Sequence, residues 1–157
     1  VTAARARGQA RPIAYPRPAV PHHLALIGAC GAGKTTVARE LITRGFTHLS
    51  IDVIRHDGGD WEDLVRILGQ ARTPLVIESV GAPVIYRRAL PRARALLVHV
   101  RCDEAERQRR IRNRPPGLQG THQPFVRPHV VLDTTNGPTP QLLDHLAGLV
   151  LPARQTA

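Results

Sequence analysis

Short apolar runs alternate along the chain with segments of helical period, and that alternation predicts a parallel sheet covered on both faces. His23–Ile27, Thr47–Ile51, Pro74–Glu78, Ala95–Val100 and His129–Asp133 have the length and apolar make-up of buried strands. Between and after them, Thr35–Thr43, Asp60–Ala71, Val84–Leu90, Asp103–Asn113 and Gln141–Leu149 read as helices. In the second of these, Trp61, Leu64, Val65 and Leu68 share one face. Gly45 stands where the first helix would end in a left-handed residue, and Asp103 stands near the cap of the fourth. The expected fold is α/β: a doubly wound, five-stranded parallel sheet in three αβα layers.

Residues 22–151 form the expected domain, because 157 residues suffice for one core of ordinary size. Residues 1–21 hold four arginines, four prolines and no acidic residue, so they read as a disordered basic leader. Residues 152–157 read as a tail. No apolar run approaches the length of a membrane span, and two cysteines offer no disulfide framework. A reduced, cytoplasmic monomer without membrane attachment is the expectation. The net charge of +10 invites a nucleic-acid partner. That partner is not favoured, because four of the excess charges lie in the leader and aromatic residues make up only 3% of the chain, too few for a stacking platform.

Composition sharpens one motif. Arginine fills 21 of the 22 basic positions, and the single lysine, Lys34, falls inside Gly28-Ala29-Cys30-Gly31-Ala32-Gly33-Lys34-Thr35-Thr36. This segment matches G-x-x-x-x-G-K-[ST], the phosphate-binding loop, and it follows a predicted strand and opens a predicted helix. The glycines let successive backbone N–H groups face an anion, and the helix adds its positive N-terminal end. A compact ammonium fits against such a loop where a planar guanidinium does not. Thr35 offers a hydroxyl to the magnesium that accompanies a bound nucleotide.

Ligands of open α/β sheets gather beyond the carboxyl ends of the strands. Asp52, Glu78 and the segment Asp133-Thr-Thr-Asn136 all fall at that edge. Asp52 is a candidate base for an acceptor hydroxyl, Arg55 a candidate holder of an anionic acceptor, and Glu78 a candidate for a magnesium-bound water. Arg107, Arg109, Arg110, Arg112 and Arg114 crowd one helix and its exit. Like charges at that spacing cost helix stability unless an anion neutralises them, and polyphosphate is the expected anion.

The guanine-specifying N-K-x-D motif is excluded, since Lys34 already belongs to the loop, and no L-S-G-G-Q is present. Over about residues 23–150 the order of motifs resembles the P-loop kinases that phosphorylate nucleosides, nucleotides and other small molecules. Ser50-Ile-Asp52-Val-Ile-Arg55 is similar to the D-x-x-R segment of the branch containing polynucleotide 5′-hydroxyl kinase and chloramphenicol phosphotransferase, which implies that Asp52 is the catalytic base. Arg110-Ile-Arg-Asn-Arg114 resembles the R-x-x-x-R at the start of the kinase lid, implying that Arg110 packs on adenine and Arg114 reaches the phosphates. Asp133 to Pro140 resembles the segment that passes the adenine ring, which implies a place for Asn136 at the nucleotide. The expected activity is transfer of the γ-phosphate of ATP, with Mg2+, to a hydroxyl of a small metabolite or nucleoside. Lys34, Arg110 and Arg114 would stabilise charge on the moving phosphoryl group. The alternatives are an ATP-hydrolysing switch without transferase activity and a 5′-hydroxyl kinase for nucleic acid.

Overall fold

A computed structural model describes residues 15–51, 61–79, 92–115 and 127–150. In chain order the elements are β1 (His23–Ile27), α1 (Lys34–Ile42), β2 (Thr47–Ser50), α2 (Trp61–Gln70), β3 (Leu75–Ser79), β4 (Ala95–Arg101), α3 (Glu104–Ile111), β5 (Val130–Asp133) and α4 (Pro140–Gly148). Five strands pair in parallel in the order β2-β3-β1-β4-β5. The helix expected over Val84–Leu90 and the tail at 152–157 lie outside the described residues. Among the described residues, no helix is long and apolar enough to cross a membrane.

Side chains alternate across a strand, and that period of two builds two separate cores on the sheet. Leu24, Leu26, Val76, Leu96, Val98, Val100 and Leu132 face one way and pack against Val37 and Leu41 of α1 and Leu143 and Leu146 of α4. Ala25, Ile27, Leu75, Ile77, Ala95 and Leu97 face the other way, against Leu64 and Leu68 of α2. All five residues of β1 are buried, as a central strand covered on both faces requires. The first crossover closes at Gly45, where φ is 97°: its N–H donates to Ile42 O and the N–H of Phe46 to Leu41 O. This is the Schellman pattern, and it returns Phe46 to the core.

The leader expected over residues 1–21 is corrected at its C-terminal end. Tyr15 is 9% exposed and belongs to the α2-side core. Its ring lies 5.2 Å from that of His129, and its carbonyl sits 2.9 Å from His129 Nε2. His129 Nδ1 accepts from Leu97 N at 3.0 Å, which fixes the tautomer so that Nε2 donates to Tyr15. One aromatic side chain with a large apolar area thus anchors a segment whose composition reads as unstructured. Burial pushes the Tyr15 phenol well above its ordinary pKa.

A second histidine does similar work at the same end of the sheet. His23 is 6% exposed, and its Nδ1 accepts from Leu75 N at 2.9 Å. That bond needs the neutral ring, and burial, reinforced by neighbouring His22, holds the His23 pKa below 6.5.

Two predictions follow from this end of the molecule. Tyr15→Ala removes a core aromatic and is expected to cost about 2–3 kcal/mol, a fall in Tm of about 5–10 °C by thermal denaturation. An unchanged Tm would return the segment to solvent. For His23 the folded state disfavours the proton, so its contribution to stability is complete above pH 6.5 and declines as pH falls below that value toward the lowered folded pKa. His23→Asn keeps an acceptor and cannot titrate. Its Tm should therefore fall less than that of the wild type between about pH 7 and pH 5. Identical slopes would contradict the assignment.

Candidate active site

The phosphate-binding loop leaves the carboxyl end of β1, between β3 and β4 in the middle of the sheet. Its backbone lies so close to its neighbours that two glycines are obligatory. A Cβ on Gly28 would sit 2.2 Å from Val100 O, and one on Gly31, where φ is 81°, 2.4 Å from Ile111 Cγ2. Lys34 is the first residue of α1 and is only 6% exposed. Its side chain folds back over the loop, and Nζ donates to Gly28 O at 2.7 Å and Ala29 O at 3.0 Å.

The remaining carbonyls of the loop are held in the same manner by residues from distant elements. Arg107 Nη1 donates to Cys30 O at 3.1 Å, Arg110 Nη1 to Gly31 O at 3.4 Å, and Thr134 Oγ1 to Ala32 O at 2.5 Å. Five successive carbonyls, from Gly28 to Ala32, therefore accept from side chains of Lys34, Arg107, Arg110 and Thr134. A trans peptide is planar, with its N–H opposite its C=O, so fixing these carbonyls sets the amides of the same peptide units opposite them, except that of Ala32, whose N–H donates to Ala29 O at 3.2 Å. That arrangement is a nest for an anion.

The cavity it opens onto holds about 670 Å³, within the range of small-ligand sites. Gly31, Gly33, Lys34, Thr35 and Thr36 line it together with Glu78 and with Arg109, Arg110 and Arg114. Thr35 Oγ1 donates to Glu78 Oε1 at 2.5 Å, while Glu78 Oε2 lies 2.9 Å from His48 Nε2. The register Leu26↔Glu78 explains the meeting, because it brings the end of β3 alongside the start of the loop. A hydroxyl and a carboxylate are hard oxygen donors of the kind that hold magnesium together with substrate phosphates and water. Among the described residues no group of three or more His, Cys, Asp or Glu gathers to cage a metal without a substrate. The expected pair Thr35 and Glu78 thus fits a phosphate-borne Mg2+.

The arginine-rich helix is corrected on one point. Polyphosphate is not the first anion its charges meet, because α3 carries its own. Glu104 receives Arg107 through two bonds, Nε to Oε2 at 2.8 Å and Nη2 to Oε1 at 2.7 Å. Glu106 receives Arg109 at 2.7 and 2.8 Å and Arg110 Nε at 2.8 Å. These are pairs spaced three and four residues apart on one helix, the spacing at which side chains meet. Hydrogen bonds from Arg107 and Gln108 hold the Glu104 pKa down at about 2, and bonds from Arg109 and Arg110 do the same for Glu106. Asp103 caps the helix as expected, accepting from Ala105 N and Glu106 N.

Arg110 and Arg114 both line the cavity. Arg110 is also a structural tie, since Nη2 donates to Thr134 O at 2.7 Å and to Thr135 O at 3.3 Å. Asn136 is exposed, and Gly137 and Pro138 line the cavity at that point of the chain instead. Cys30 lines the cavity, whereas Gly28, Ala29 and Ala32 contribute the carbonyls that fix the loop. Asp52 and Arg55 lie outside the described residues, just beyond Ile51 at the end of β2. Thr134 falls in the segment that the sequence places at this edge, but its individual role was not read from the sequence. It is 1% exposed, and the available signal was a threonine directly after the last strand.

The sequence matches no known family profile and no curated protein. Solved structures do share its fold. A sugar kinase from Janibacter sp. HTCC2649 is 15% identical with a TM-score of 0.55, over 83% of this chain and 99% of its own. A gluconokinase from Sinorhizobium meliloti 1021 is 20% identical with a TM-score of 0.54, over 82% and 91%. The APS kinase of Mycobacterium tuberculosis, solved with AMPPNP and APS, is 18% identical with a TM-score of 0.51, over 82% and 94%. The chain thus has the three-layer, parallel-sheet fold of P-loop kinases.

Proposed function

We propose that the chain is a phosphotransferase that moves the γ-phosphate of ATP, with Mg2+, to a hydroxyl group of a small metabolite or nucleoside. The observation that carries this reading is the junction of Lys34, the Thr35–Glu78 pair and the α3 arginines around one cavity. The amides of Cys30, Gly31 and Gly33 and the first turn of α1 would receive the β- and γ-phosphates, with Lys34 placing a point charge between them. Thr35 and Glu78 would hold the metal, which supplies charge neutralisation on the phosphates when bound. Arg110 and Arg114, which line the same cavity, would meet negative charge as it develops on the transferring group. Asp52 would take the hydroxyl proton, and Arg55 would hold an acceptor that carries negative charge.

The sugar kinase, the gluconokinase and the APS kinase of like fold support a small-molecule acceptor for this chain. The pairing of Arg107 with Glu104 and of Arg109 and Arg110 with Glu106 weakens one argument for a nucleic-acid acceptor, since two carboxylates offset part of the charge of this helix.

The test is ADP formation from MgATP with and without a panel of small hydroxyl compounds, run beside titration of ATP binding. One active acceptor should raise ADP release. Asp52→Asn should then lower that acceptor-dependent rate by about 10²–10⁴-fold while ATP still binds, because the amide keeps shape and loses the proton acceptor. Lys34→Arg should lose transfer as well, since a fork cannot occupy the place of the ammonium. An undiminished acceptor-dependent rate in the asparagine variant would remove Asp52 from the mechanism, and ATP hydrolysis indifferent to every acceptor would favour the switch.

A further inference from the structure

The sheet edge opposite the phosphate-binding loop holds a second cavity, of about 550 Å³. His22 and His23 line it from the start of β1, Arg72 and Thr73 from the exit of α2, and Arg92 and Arg94 from the turn into β4. Six described arginines elsewhere meet carboxylates: Arg44 meets Asp144, Arg66 meets Asp63, Arg101 meets Asp133, and Arg107, Arg109 and Arg110 meet Glu104 and Glu106. Arg72, Arg92 and Arg94 are exposed, and none of them meets a carboxylate among the described residues.

The backbone at Arg94 is a second, independent signal. Its φ is 52°, the left-handed region, and among the described residues it is the only non-glycine there. The conformation is held by a bond from His22 N to Arg94 O at 2.9 Å. Such a position costs a side-chain-bearing residue about 1–2 kcal/mol that glycine would not incur. An arginine kept under strain at the mouth of an unneutralised basic cavity indicates use of its side chain.

We propose that this cavity is a second anion site, which takes a small ligand bearing two or three linked phosphate groups. Guanidinium forks bind phosphate oxygens in pairs, and three arginines from two loops line one concavity of small-ligand size. With aromatics at 3% of the chain, recognition rests on the phosphates rather than on stacking of a base. A concavity of this size encloses a few phosphate groups rather than a length of strand. The ligand there is distinct from the nucleotide at Lys34, because it binds at the other end of the strands.

The experiment uses the full chain with its loop saturated by a non-hydrolysable ATP analogue and Mg2+, titrated calorimetrically with inorganic tripolyphosphate. One further equivalent should bind. The double variant R72Q/R92Q should weaken that binding at least about tenfold, as loss of charge-assisted hydrogen bonds requires. Affinity for the ATP analogue should stay within about twofold. Arg94→Gly relieves the backbone and removes the fork, so it should weaken tripolyphosphate binding without lowering Tm. A parallel titration with a short single-stranded oligonucleotide separates the two sources of phosphate. No further equivalent of tripolyphosphate, binding indifferent to all three arginines, or arginine-dependent binding of the oligonucleotide alone would each overturn the proposal.

Discussion

Everything at the candidate site depends on where the carbonyls of residues 28–32 go. A glycine-rich loop left to itself has no reason to turn its amides one way, and buried carbonyls without donors are costly. Here Lys34, Arg107, Arg110 and Thr134 hold the five carbonyls in place, and the planarity of the peptide sets the amides of the same units opposite them. The anion nest is therefore a property of three elements at once: α1, α3 and the turn after β5. Sheet order makes this meeting achievable, since β4 lies beside β1 and delivers α3, and β5 beside β4 delivers Thr134.

The same constraint explains the charge on α3. Arg107 is 3% exposed, and a guanidinium so deep needs an anion and an acceptor. Glu104 supplies the first and Cys30 O the second. Glu106 aims Arg110 at the loop and at Thr134 O, so the acidic residues of this helix set the directions of the basic ones. An arginine-rich helix that looks like a binding surface is in large part scaffold, with Arg109, Arg110 and Arg114 left along the cavity wall.

The fold was legible because its signals are local. Apolar runs of strand length, helical periods, Gly45 and Asp103 each act within a few residues, and the five strands came within one or two residues of their places. Lys34, Thr35 and Glu78 were legible because a loop motif and the strand-end rule both point to them, and the structure brings Thr35 and Glu78 into contact. What stayed hidden depends on contacts across long stretches of chain. Thr134 reaches Ala32 over 102 positions, and Tyr15 is fixed by His129 over 114, so neither role is written in its neighbourhood. The pairing of the α3 arginines was a different error: Glu104 and Glu106 stand in plain view at helical spacing, and counting basic residues alone passed over them.

The central claim is that the loop over Lys34 is built for a chain of phosphates. Calorimetric titration of the wild-type chain with MgATP, MgADP, AMP and adenosine tests it most directly. ATP and ADP should bind with one site each. AMP and adenosine should be weaker by about a hundredfold or more, the worth of two charge-assisted hydrogen bonds at ~1.5 kcal/mol each. Equal affinity for adenosine and ATP, or no binding of either di- or triphosphate, would contradict the account.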